Sequence, residues 1–182
     1  MDRPSSNRKL LILDANGILI NRRYEKNLKV EPPPGAYREG NFFVWCRPGL
    51  NEFLDYIFQN YDVAVWSSAM KHNLEPVAKQ IFGKYYDKLV FIWDQSRCQT
   101  LQEAKKKKDD KPLFLKNLSD VWQCKDFKGR YTAKNTLIID DSDEKMVNNP
   151  KSCHLNPGTW KIDETKPNAQ PPSLLKLLMS HK

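Results

Sequence analysis

The chain has 182 residues, 40% of them hydrophobic and 29% charged, with a formal net charge of +8. That length supports one α/β domain with a buried core and leaves little room for a second, and it contains no run of the roughly 18 apolar residues that a membrane span needs. A positive field favours encounter with any polyanion, phosphorylated protein included, so the charge ranks partners by sign and does not by itself support a nucleic-acid partner.

Residues 1–7 read as a disordered lead-in. Leu10–Leu13 is then an apolar run closed by a carboxylate, Asp14, with Asn16-Gly17 directly after it. Two readings compete here. In an open α/β sheet ligands bind beyond the carboxyl ends of the strands, which would place Asp14 in that crevice. Asn-Gly between two apolar runs is equally a β-hairpin signal. Residues 18–20 read as a short strand, and residues 21–40, with Pro32-Pro33-Pro34-Gly35, as a surface excursion unable to hold a central strand. Residues 42–46 are apolar and aromatic and read as a strand that pairs with the excursion and returns the chain to the core.

Arg47-Pro48-Gly49 opens a helix whose Leu50, Phe53, Leu54, Ile57 and Phe58 fall on one face. Residues 62–66 form a second core strand ending at Ser67-Ser68, which either face the same crevice as Asp14 or cap the next helix. That helix carries Leu74, Val77, Ala78, Ile81 and Phe82 and stops near Gly83. Residues 89–93 are a third apolar run, followed by a polar insertion over 94–111 whose Lys105 to Lys108 run reads as a solvated loop.

Residues 112–115 are short and apolar and deliver Lys116; 117–122 read as a helical turn and 125–135 as a polar loop. Residues 136–139 are the last core strand and end in Asp140-Asp141, after which Ser142 or Asp143 caps a short helix that Pro150 breaks. Residues 156–172 are polar and proline-rich, and Leu174, Leu175, Leu177 and Leu178 make a terminal amphipathic helix. Strands alternating with helices predict a Rossmann-like α/β fold: a mainly parallel sheet, helices on both faces and a small β excursion after the first strand. Cys46, Cys98, Cys124 and Cys153 are scattered without a Cys-x-x-Cys pair and read as reduced thiols, most of them packing residues, in a reducing compartment, and no His stands at metal-ligand spacing. His72 and His154 read as ordinary surface or core residues, and Phe42, Phe43, Trp45 and Trp66 as core.

A parallel sheet would gather Asp14, Ser67, Lys116, Asp140 and Asp141 at one edge. Those residue types form a coherent set for phosphoryl transfer. Asp14 would be the nucleophile, Asp14 and Asp140 would hold Mg²⁺ through hard oxygen donors, Ser67 would donate a hydrogen bond to the phosphoryl group, and Lys116 would balance its charge.

The segments LDANGIL, CRPGLNEFLDYI, VAVWSSA, LFLKNLS and TLIIDDS, in that order, resemble the haloacid-dehalogenase superfamily. Within it they are most similar to the phosphatases of the RNA polymerase II carboxy-terminal domain and their small relatives, over residues 8–156, with 157–182 as a C-terminal extension. The resemblance implies Asp14 as nucleophile, Ser67 and Lys116 as phosphate ligands, and Asp14, Asp140 and the backbone carbonyl of Asn16 around Mg²⁺, with Asp141 either a supporting ligand or a group that orients the ligands from behind. It also implies a phosphorylated protein segment as substrate. Two positions depart from the pattern. The second aspartate, the general acid and base, is Asn16, and the family threonine is Ile18. An amide neither delivers nor accepts the proton, a loss worth on the order of 10² to 10⁴ in rate.

The expectation is therefore a slow Mg²⁺-dependent phosphatase, monomeric, without membrane attachment, in nucleus or cytoplasm. The alternative is a phosphatase-like module that docks phosphoprotein or serves as a scaffold, as in the similar receptor subunit of the mitochondrial inner-membrane translocase.

Overall fold

A computed structural model describes residues 8–28, 31–32, 34–101, 112–163, 165–166 and 169–181. The lead-in 1–7 and the lysine run at 105–108 lie outside the described residues.

The central sheet is built from apolar runs that are buried on both faces, as parallel strands must be when helices cover them. In chain order its strands are β1 (Leu10–Leu13), β5 (Asp62–Trp66), β6 (Ile92–Trp93), β9 (Thr136–Ile139) and β10 (His154–Leu155). In space they run β10-β9-β1-β5-β6, every pair parallel. Leu13 lies level with Val65 on one side and Ile139 on the other, so the residues that follow, Asp14, Trp66-Ser67 and Asp140, leave the sheet together.

Side chains alternate across the sheet with a period of two. Leu11, Leu13, Val63, Val65 and Ile139 pack under α1 (Leu50–Asn60), α2 (Lys71–Phe82) and α4 (Leu174–Ser180), while Leu10, Ile12, Ala64, Trp66 and Ile138 pack against α3 (Leu118–Gln123) and Tyr131. The helix faces are those that the spacing predicts. Leu50, Phe53, Leu54 and Ile57 are buried on α1, with Phe58 only partly so, and Leu74, Val77, Ala78, Ile81 and Phe82 are buried on α2. The third apolar run is extended over less of its length than expected. Only Ile92–Trp93 forms a regular strand, although the hydrogen-bond ladder to β5 already begins with Val90 N–H donating to the Val63 carbonyl at 2.8 Å.

The Asn16-Gly17 turn does not close a hairpin. Both neighbours of β1 are parallel strands, and the chain turns away from the sheet instead. Residues 18–20 are accordingly not a strand of their own. The strand is β2 (Ile20–Tyr24), set antiparallel to β4 (Phe42–Cys46), which also pairs with β3 (Tyr37–Glu39). This three-stranded sheet is the excursion, and it stands beside the carboxyl edge of β1. A second small antiparallel pair, β7 (Gln99–Leu101) with β8 (Leu113–Leu115), delivers Lys116 from outside the central sheet.

The segment after residue 156 lies along the turn that follows Asp14. Trp160 N–H donates to the Gly17 carbonyl at 2.8 Å and Ile162 N–H to Asn21 Oδ1 at 3.1 Å, while the side chains of Trp160 and Ile162 pack on Trp45. The Arg47 guanidinium, almost wholly buried, donates to the carbonyls of Ile18 at 2.9 Å and Pro172 at 3.1 Å, binding the turn to the incoming tail.

Candidate active site

Three strand ends and one hairpin end meet at the carboxyl edge of the central sheet. Asp14 follows β1, Ser67 follows β5, Asp140 follows β9, and Lys116 follows β8; all four are buried. Each is fixed by the backbone around it. Asp14 N–H donates to the Ile139 carbonyl at 2.9 Å, Ser67 N–H to the Trp93 carbonyl at 2.9 Å, and Lys116 N–H to the Lys145 carbonyl at 3.0 Å. Asp140 Oδ1 accepts from Ser142 N–H at 2.9 Å. Ser142 stands at the start of the following 3-10 turn, but this bond comes from its backbone, and neither its hydroxyl nor the Asp143 side chain caps that turn. Nor do Ser67 and Ser68 cap α2, whose N-cap is Met70. Instead Ser67 Oγ accepts from Ala69 N–H at 3.2 Å, which leaves the hydroxyl proton free to be donated.

Lys116 is enclosed between the two carboxylates. Its Nζ lies 3.1 Å from Asp14 Oδ1 and 2.5 Å from Asp140 Oδ2, with none of its surface exposed. Burial alone would favour the neutral amine. Asp14 and Asp140 outweigh it and hold the ammonium above its ordinary pKa. The two acids respond differently. Burial pushes Asp14 up, against the pull of Lys116, whereas for Asp140 the opposing pull of Lys116, Lys145 and the Ser142 N–H overcomes burial and keeps it below the usual carboxylate range.

Asp14, Asp140 and Asp141 each bring a carboxylate oxygen to within 4.8 Å of the others. Oxygens on opposite sides of a Mg²⁺ ion lie roughly 4.2 Å apart, so this set closes on such an ion with only a small side-chain shift. All three donors are hard oxygens, the chemistry that Mg²⁺ favours.

In front of the carboxylates is an open cavity of about 340 Å³ lined by Asp14, Asn16, Ser67, Asp141, Lys145 and Arg22, with Phe42, Ser68 and Ala69. Lys116 is not on its wall; the cations that are there, Lys145 and Arg22, stand outside the pattern that sequence reasoning used. Lys145 lies in the 3-10 turn Asp143–Met146 and brings Nζ to 3.8 Å from Asp14 Oδ2. Arg22 is on β2, two residues past the apolar run. His154 also has more of a role than its isolation in sequence suggests: Nε2 is 3.0 Å from the Asp140 carbonyl oxygen and Nδ1 is 3.6 Å from Asp143 Oδ1. Phe42, expected in the core, is half-buried and faces the cavity. Asn16 is exposed there, its Oδ1 accepting from Arg22 N–H at 2.8 Å.

Residues 9–181 match the family model described as NLI interacting factor-like phosphatase. The chain belongs to that family. An uncharacterized FCP1 homology domain-containing protein of Schizosaccharomyces pombe is 34% identical over 152 residues, 80% of this chain and 59% of that protein. The ubiquitin-like domain-containing CTD phosphatase 1 of Homo sapiens is 26% identical over 151 residues, 82% of this chain and 42% of that one. The chain thus spans about half the length of these curated relatives. Among solved structures, that of Fcp1, an essential RNA polymerase II CTD phosphatase, superposes with a TM-score of 0.61 at 17% identity over 91% of this chain and 45% of that chain, a likeness of fold. The NLI interacting factor-like match runs past residue 156, in keeping with a tail that hydrogen-bonds to the turn after Asp14.

Gly17 is a sensitive point of this family member. Its φ of +88° is one that side chains other than glycine's resist, and a Cβ there would collide with the Asp141 carboxylate. Gly17→Ala is expected to cost on the order of 1–3 kcal/mol in urea unfolding. Unchanged stability would mean that neither the turn nor the Asp141 carboxylate resists a side chain at this position.

Proposed function

We propose that this domain is a magnesium-dependent phosphatase of the aspartyl-phosphate type, acting on phosphoserine or phosphothreonine in protein segments and slowed by Asn16. The observation that carries the reading is the cluster of three carboxylates, two of them paired with the buried Lys116 ammonium, beside a cavity that Asp14, Asp141 and the Ser67 hydroxyl line, in a chain of a phosphatase-like family.

Asp14, Asp140 and Asp141 would hold Mg²⁺, with the backbone carbonyl of Asn16 as a further oxygen donor. Bound there, the ion neutralises the carboxylates and polarises a phosphate oxygen. Asp14 is the nucleophile: its free carboxylate oxygen forms a bond to phosphorus as the ester P–O bond breaks, and the serine or threonine oxygen departs with a proton. Water then cleaves the aspartyl phosphate to free phosphate and Asp14. Ser67 donates its hydroxyl proton to a phosphoryl oxygen. Lys116, paired with Asp14 and Asp140 beside the cavity, would hold their carboxylates in register and add positive charge next to the phosphate, and Lys145 would present its own charge from the cavity wall.

Asn16 occupies the place from which a carboxyl would give the leaving group its proton and take one from water. Both transfers are left to solvent, so poor leaving groups are penalised most. Magnesium-stimulated hydrolysis of an aryl phosphate by the wild type, with a rate raised by about 10² or more in Asn16→Asp, is the expected steady-state result.

A second reading is favoured by Asn16 itself, whose amide is already engaged by Arg22 N–H. On that reading the domain docks phosphoprotein without turnover. No rate in either wild type or Asn16→Asp, with phosphopeptide binding retained, would decide for it. Either role fits a monomeric protein in the nucleus or cytoplasm, with a phosphorylated segment as its partner.

A further inference from the structure

Arg22 is not needed for any step above, yet it lines the cavity. Its guanidinium carbon stands over the Phe42 ring, 3.6 Å from the ring centre, and Nη2 donates to Asn73 Oδ1 at 2.9 Å. Its Nε is buried and has no hydrogen-bond partner. Among the described residues it forms no ion pair within 4 Å; Glu39 is close enough to act on its charge at longer range but not to pair with it. A guanidinium held by a ring on one face and an amide at one edge is stiff, because its usual rotational freedom is already lost. Such a group has little ordering entropy left to lose when an anion arrives.

The cavity is also larger than a phosphoryl group needs. Lys145 stands beside Asp14, where phosphorus would be attacked, while Arg22 stands on the small antiparallel sheet, on the wall formed with Phe42. The two cations are therefore separate features of the cavity, carried by different elements. Resting on the phosphatase reading of the site, we propose that Arg22 and Phe42 form a second subsite that takes another anionic group of the same substrate segment, next to the phosphate that is hydrolysed. The bidentate fork of arginine suits a second phosphate or a carboxylate equally.

The two sources separate in a set of labelled peptides, all carrying one phosphoserine. The second position, one to three residues to either side, is alanine, aspartate or a second phosphoserine. In the wild type with Mg²⁺, kcat/KM is expected to be about tenfold higher for the best anionic peptide than for its alanine counterpart, the size of one charge-assisted hydrogen bond. Preference for aspartate and phosphoserine alike marks a general anion subsite, and preference for phosphoserine alone marks a second phosphate. In Arg22→Gln the ratio of anionic to alanine peptide should fall to about one, and Arg22→Lys should restore part of it. Loss of structure would lower all peptides together and leave the ratio intact.

A ratio near one in the wild type, or a ratio that survives Arg22→Gln while hydrolysis of the alanine peptide keeps its wild-type rate, overturns the subsite. Should the wild type hydrolyse no aryl phosphate, the phosphatase reading fails by itself. The same peptides read by fluorescence polarisation then still test the subsite, through the same ratio in dissociation constants.

Discussion

Asp14→Asn is expected to abolish magnesium-dependent hydrolysis of an aryl phosphate, lowering kcat by at least about a thousandfold, to the uncatalysed background. Two losses coincide at this position. The amide has no free carboxylate oxygen to attack phosphorus, and one of three negative donors is taken from a set whose members lie within 4.8 Å of one another. Aryl phosphates suit the measurement because their leaving groups need little protonation, so Asn16 limits them least. The fold should survive the change. The substituted side chain would keep an oxygen to accept from Ala15 N–H, a bond of 2.9 Å in the wild type, and would relieve a carboxylate that burial already disfavours. A rate that persists in Asp14→Asn, in protein whose thermal transition and phosphopeptide affinity are intact, would transfer the nucleophile's role to another residue or to water.

Much of this was legible in the residues because a parallel sheet covered on both faces writes itself as continuous apolar runs. Where such a run stops at Asp14, Ser67 or Asp140, the polar residue sits at the carboxyl edge by necessity. What the runs do not contain is the path of the chain after it leaves the sheet. Arg22 reaches the cavity only because β2 pairs with β4 in a register that sets Arg22 opposite Val44, and nothing local fixes that register. Lys145 arrives through a single 3-10 turn after Asp141, a geometry that the spacing of five residues from Asp140 does not dictate. His154 reaches Asp140 because β10 joins the sheet beside β9 as a two-residue strand, too short to show any periodicity. The Asn16-Gly17 pair was ambiguous for a different reason. Its backbone preference is satisfied equally by a hairpin and by a turn away from the sheet, and the choice was made by β5 and β9, which occupy both edges of β1.

Those same long-range placements explain how the site differs from a set of ligands read off motifs. Lys116 is enclosed between Asp14 and Asp140, and the cations that line the cavity are Lys145 and Arg22. On the proposed reading, positive charge is divided among three elements: β8 for the carboxylates, the turn after β9 for the reacting phosphate, and β2 for its surroundings.

Lys116→Met should be the most destabilising single change at the site, by about 3–5 kcal/mol in urea unfolding, as for breaking a buried ion pair by removing one partner. Methionine fills the unbranched stem of lysine, so little of the loss would come from packing. It comes from the carboxylates of Asp14 and Asp140, which are left buried and facing each other without the ammonium that now lies 3.1 Å from one and 2.5 Å from the other. One of them must take up a proton, so its pKa in the folded state rises above the unfolded value. The folded variant then binds more protons than the unfolded chain at neutral pH, its stability falls as pH rises through the raised pKa, and the deficit against wild type narrows on acidification. If the three acids hold Mg²⁺ as proposed, the ion supplies the missing positive charge by another route. It should raise the melting temperature of Lys116→Met by more than it raises that of the wild type, because in the variant the ion relieves a repulsion that lysine has already relieved in the parent. A variant as stable as wild type, with no added response to Mg²⁺, would mean that Asp14 and Asp140 are not both charged in the folded protein, and the proposed metal cradle would lose at least one of its three acidic donors.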